Sequence, residues 1–281
     1  MIKRLLVWRL VILLAVAPAL ASGAAPPPVE QLVDRTSKQV TAYLDQVSDV
    51  TCTEHVEQLK LSPEGKVQYS ESGTYNYFVL LQGSNDDLLL SESRLLQSPE
   101  RKRPKNVSLL LTNGFSTLFL IFHPYYLASY RFEEVSEDTI GERHYIRLHF
   151  TSIPGARTPA ALAVRGREYP LELTGDAWVD PQTGMIARIQ ATLAHDLSDV
   201  GLRTFNVQVD YVPVRLPAWP REYLFPGSAT VEVATLRQHW RNVHQFTDYK
   251  SFMVGTDQDI ADQNLMKQAT PIPNKKDKKK K

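Results

Sequence analysis

The strongest constraint on this chain is a two-residue alternation of apolar and polar side chains that returns repeatedly between short turns. It covers 51–61 and 66–82, joined by Ser62-Pro63-Glu64-Gly65, a proline-then-glycine turn. It resumes at 88–97, 142–150, 169–180, 184–195, 200–213, 224–236 and 239–254. Within 142–150, Ile146, Leu148 and Phe150 alternate with Tyr145, Arg147 and His149. Successive strand side chains point to opposite faces, so each segment predicts a strand with one wet face. Connections this short join antiparallel neighbours, because parallel pairs need crossovers of a dozen residues or more. The sequence therefore predicts a mainly β (α+β) chain on an antiparallel sheet.

Two stretches break the alternation. Val29, Leu32, Val33, Thr36, Val40, Tyr43, Leu44 and Val47 recur at steps of three and four, predicting an amphipathic helix over 29–47. Pro28 suits its start, where a missing N–H costs nothing. The second stretch, 107–127, is strongly apolar. Phe115, Leu118, Phe119 and Phe122 follow helical spacing, and His123-Pro124 ends the run. Thr112, Asn113, Gly114, Ser116 and Thr117 interrupt it, so it does not read as a membrane span. A helix apolar on nearly all sides must be covered by protein or line a cavity for an apolar ligand. Phe115, Leu118, Phe119 and Phe122 are the candidate lining, with Tyr125 and Tyr126 near the mouth. For aromatic residues of this kind, core packing is the competing role.

At 281 residues, 43% hydrophobic and 22% charged, the chain has the composition of a globular protein, not of a disordered, collagen-like or polytopic membrane protein. Lys3, Arg4 and Arg9 precede an apolar run, Leu10 to Ala17, and Ala19-Leu20-Ala21 has the small-x-small form of a cleavage site. Residues 1–21 thus read as a secretory signal cleaved after Ala21, sending the protein to the periplasm of a bacterial envelope. No cysteine lies near that site, so a lipid anchor is not expected. The remaining organisation is a Pro-rich linker at 22–28, a single domain at 29–260 and a disordered tail at 261–281. The tail ends in the lysine run Lys275–Lys281, which can meet an anionic membrane surface or simply keep the chain soluble. The formal charge of +1 averages this basic leader and tail over an acidic body, which argues against nucleic acid as a partner.

Catalytic and metal-binding patterns were sought residue by residue. Cys52 is the only cysteine, so no intrachain disulfide can form, and its alternating setting suits a small core residue. His144 and His149, and His239 and His244, are five apart, a spacing that places the two on opposite faces of a strand. Asn113-Gly114-Phe115-Ser116-Thr117 lacks the second glycine of a nucleophile elbow, and no Gly-rich phosphate loop occurs. Arg101-Lys102-Arg103-Pro104-Lys105 reads as a charged loop protecting an edge, or as a site for anionic headgroups. No cofactor, metal or enzymatic activity is expected from these patterns.

Gly175-Asp176-Ala177-Trp178-Val179-Asp180-Pro181-Gln182-Thr183-Gly184-Met185-Ile186-Ala187-Arg188-Ile189 predicts a hairpin: Asp180 and Pro181 begin a type I turn and Gly184 supplies a left-handed residue. This segment also resembles a hairpin common in the LolA-like family of exported proteins, the LolA, LolB and RseB type. The order of leader, first helix, early hairpins and inserted apolar helix is similar to that family's order. The resemblance implies a strongly curved antiparallel half-barrel with helices on its concave side, binding a lipid, a lipoprotein acyl chain or another apolar ligand. It implies no ligand residue by motif, and segment 153–170 has no counterpart in it. The alternative expectation is an envelope protein-interaction or stress-sensing module whose cavity is filled by its own side chains.

Overall fold

The computed structural model describes residues 28–47, 50–84, 87–97, 115–164, 167–217 and 219–251. The signal segment, nearly all of the Pro-rich linker, the basic cluster at 101–105 and the Lys-rich tail lie outside the described residues. Helix α1 spans Val29–Val47 and buries Leu32, Val33, Thr36, Val40, Tyr43 and Leu44, the face its periodicity predicts. The buried Thr36 hydroxyl is satisfied by donating to the Leu32 carbonyl at 2.9 Å.

Among the described residues twelve strands follow: β1 (Val50–Leu61), β2 (Val67–Ser84), β3 (Asp87–Leu96), β4 (Tyr130–Ile140), β5 (Arg143–Ser152), β6 (Ala161–Val164), β7 (Arg167–Pro170), β8 (Leu173–Val179), β9 (Ile186–Leu193), β10 (Leu202–Val214), β11 (Tyr223–Thr235) and β12 (His239–Ser251). Ten form one antiparallel sheet in the order β3-β2-β1-β12-β11-β10-β9-β8-β5-β4, not closed into a barrel. The expected strands are present within a few residues except 169–180, which divides at Pro170 between β7 and β8 in two different sheets, and the end of the last one, 252–254, lies outside the described residues. Strand β4 was not foreseen, because its sequence runs through Glu133, Glu134, Val135 and Ser136 without clean alternation. A register shift between Glu134 and Ser136 explains why: the bulge breaks the period. Segment 153–170, which has no counterpart in the resemblance, carries the small separate hairpin β6–β7.

The sheet's curvature follows from what α1 touches. It packs against both β2 and β4, which stand eight strand spacings apart in the sheet order. Laid flat, those strands would lie ~38 Å apart, several times a helix diameter. The sheet must therefore curl around the helix. Inner-face residues such as Leu148, Val179, Ile189, Val209 and Ala229 are buried with α1 in one apolar cluster.

The apolar segment takes a different form from the one expected. Phe115–Phe122 is wound as a 3-10 helix, and a short helix α2 (Pro124–Leu127) succeeds it. Pro124, which has no N–H, prevents the winding from running through into α2. The His123 ring accepts from the Tyr125 N–H at 3.2 Å and caps α2 instead.

Candidate functional site

The six residues picked from sequence belong to this rod and to α2. Leu118, Phe119 and Phe122 are 3%, 4% and 0% exposed, and Tyr126 is 6% exposed. The Phe115 side chain lies outside the described residues, and Tyr125 is half-buried under the Arg157 guanidinium, 4.1 Å from its ring centre. Phe119 meets Tyr43 of α1 edge-on at 4.7 Å, and Phe122 packs on Phe132 of β4 and Phe150 of β5 at 5.1 and 6.4 Å. Tyr126 donates its hydroxyl to the Leu88 carbonyl of edge strand β3 at 3.2 Å. Since β4 begins four residues later, α2 bridges the seam between the two edges of the sheet. These side chains act together as a plug.

Beside the plug lies a crevice of about 40 Å³, lined by Val40, Tyr43, Phe119, Ile186, Tyr211 and Leu224 among others. The Tyr211 hydroxyl is buried with no hydrogen-bond partner. Burial, then the neighbouring charge of Asp210, pushes its pKa far above the ordinary phenol value. A crevice of this size admits water but not a drug-sized molecule, whose sites run to ~300–1,000 Å³.

The predicted hairpin forms as β8 and β9, and its tip closes the crevice from one side. Asp180 Oδ1 accepts from the Gln182 and Thr183 N–H groups at 2.8 Å, and Gly184 takes φ 77°. A Cβ there would stand 2.8 Å from the Arg35 backbone. Arg35 in turn donates to the Pro181 carbonyl, docking the turn on α1.

A buried charge cluster ties β1, β3 and β12 together on the inner face. Glu54 accepts from Arg94 Nε at 2.5 Å and Nη2 at 3.0 Å, and stands 2.8 Å from His244 Nδ1. Arg94 also pairs with Glu92 at 3.1 Å and lies over the Tyr77 ring. Burial opposes ionisation of Glu54, but the His244 hydrogen bond and the Arg94 charge outweigh it and hold the carboxyl below its ordinary value. Nearby, burial pushes the Cys52 thiol up to about 12, so it stays protonated as an inert core residue, as its sequence setting suggested. Among the described residues no group of three or more His, Cys, Asp or Glu is placed to hold a metal ion.

A wider concavity lies elsewhere among the described residues, on the outer face of the sheet. It has a volume of about 560 Å³ and lies across β5, β8, β9, β10 and β11. His149, Asp176, Gln190, Gln208 and Thr230 stand directly opposite one another on these five strands. A parallel row is made by Thr174, Thr192, Asn206 and Glu232. The floor is thin at Gly175, where a Cβ would come within 1.9 Å of the Gln190 carbonyl oxygen. Sequence reasoning missed this site. Each strand showed only an ordinary polar alternate, and nothing short of the register aligns them.

No protein-family model matches the chain, and no curated protein matches it in sequence. Solved structures similar to it include a DUF1329 family protein from Desulfovibrio piger, at 11% identity and TM-score 0.42, covering 85% of this chain and 98% of that one. Another is an outer membrane lipoprotein-sorting domain from Vibrio parahaemolyticus, at 9% identity and TM-score 0.38, covering 85% and 99%. A third is MucB in complex with MucA(peri), at 10% identity and TM-score 0.23, covering 80% and 100%.

Proposed function

We propose that this chain is a non-enzymatic binding module of the bacterial envelope, exported by its leader, in which the half-barrel is a scaffold filled by its own side chains and recognition lies outside the sheet. One observation carries this reading. Leu118, Phe119, Phe122 and Tyr126, the residues best suited to line a ligand cavity, are packed against α1 and the sheet edges with only about 40 Å³ of free space beside them. Lipid extraction and mass spectrometry of the protein purified from its native envelope should find no retained acyl species. A fluorescent fatty-acid probe should stay unbound. Recovery of one acyl species at a fixed stoichiometry overturns the proposal.

A second reading rests on the crevice itself. Its walls are mainly apolar, with the unpartnered Tyr211 hydroxyl among them, so an acyl chain or other apolar ligand would enter there by displacing the Phe119 side chain. Leu224→Trp fills the crevice from a half-buried position. On this second reading it abolishes fatty-acid uptake, whereas on the first it changes nothing.

A further inference from the structure

From the outer groove we infer that this sheet face binds a neutral saccharide chain. The inference rests on the reading that recognition lies outside the sheet, and it names the class of ligand. The groove's volume of about 560 Å³ falls within the range of sites that hold small ligands. Its first row crosses five strands and its second four, the longer a run of ~19 Å at the spacing of neighbouring strands. Along that run the lining offers an imidazole, hydroxyls, amides and carboxylates in register. Hydroxyl groups both donate and accept, and so match a comb of mixed donors and acceptors better than any single-signed ligand does.

Charge narrows the choice. Asp176 is met by His149 at 2.8 Å, and Glu232 by His239 at 2.7 Å and Arg241 at 2.8 Å, so each carboxylate already has a partner. No lysine or arginine lines the groove, which removes the usual grip on phosphate, sulfate or nucleic acid. A peptide is disfavoured on separate grounds. All five strands are paired on both sides, so no free edge can add a strand, and the apolar side chains of the lining, Ala191 and Val207, are too small to anchor alternate peptide side chains. Part of the comb is still open: among the described residues, the Asn206 amide and the Thr230 hydroxyl make no hydrogen bond. An ordered polar ligand would complete both.

Titration of the full exported chain with chitin-derived and cellulose-derived oligosaccharides, followed by calorimetry and backbone NMR, tests the inference. Heparin fragments and an extended lysine-containing peptide serve as competitors of other classes. We expect saturable binding of a neutral oligosaccharide, with shifts confined to β5, β8, β9, β10 and β11. Asn206→Ala combined with Thr230→Ala should weaken it at least tenfold, and Asn206→Trp should abolish it in a chain with an unchanged melting profile. Three outcomes overturn it: no neutral oligosaccharide binds, only heparin or the peptide binds, or binding ignores both groove variants. The acyl-retention assay is run on the same preparation. Retained lipid sinks the filled-scaffold reading, whereas absent lipid with no saccharide binding sinks this inference alone.

Discussion

Glu54 sits fully buried between Arg94 and His244, and changing it removes one partner from a desolvated charge. Glu54→Ala strips the buried Arg94 guanidinium of one of its two carboxylates, leaving Glu92, and should cost about 1–3 kcal/mol of stability in denaturant titration. The same pairing makes stability acid-sensitive. The folded carboxyl releases its proton more readily than the unfolded one, whose value is near 4.5. Its contribution is therefore complete above that pH and is lost as pH falls from there through the lower folded value. Denaturation midpoints measured between neutral pH and acid should drop less steeply in Glu54→Gln than in the native chain. At this scale the sequence was half legible. Asp180 and Gly184 announced their turn because their partners are local, and Gly184→Ala should lower the melting temperature by forcing a Cβ against α1. The partners of Glu54 lie 40 and 190 residues away, and no local pattern reports such a contact.

The elements divide by how much of their order is local. Helix α1 and most strands were readable because burial follows their own period. The apolar rod was readable as a buried helix but not as a 3-10 one, since spacings of three and four residues over so short a segment do not separate the two windings. Its place as a plug can be measured. Phe122→Ala should cost about 3–5 kcal/mol, with an unchanged dependence on denaturant concentration. Tyr125→Ala, at a half-buried position of the same segment, should cost far less. Equal and small effects at both positions would show that the rod is loosely seated and would favour ligand entry over a filled core.

For the whole molecule, α2 clasps edge strand β3 across the seam from β4, and opening is expected to begin there. Hydrogen exchange should be slowest in β12, β11 and β10 and fastest in β3 and β4. Tyr126→Phe, which removes the clasp on Leu88, should speed exchange in β3 while leaving β11 unchanged. The outer groove was illegible in sequence for a reason that belongs to this scale. Its rows exist only once five strands drawn from residues 143–235 are laid side by side in register.

Strand β1 pairs with β12 along its length, from Val50 opposite Ser251 to Leu61 opposite His239. While the polypeptide is still being made, its leading hairpins must wait with a bare flank until β12 arrives. That interval, set by the length of everything in between, is when the newborn chain most needs a chaperone's cover.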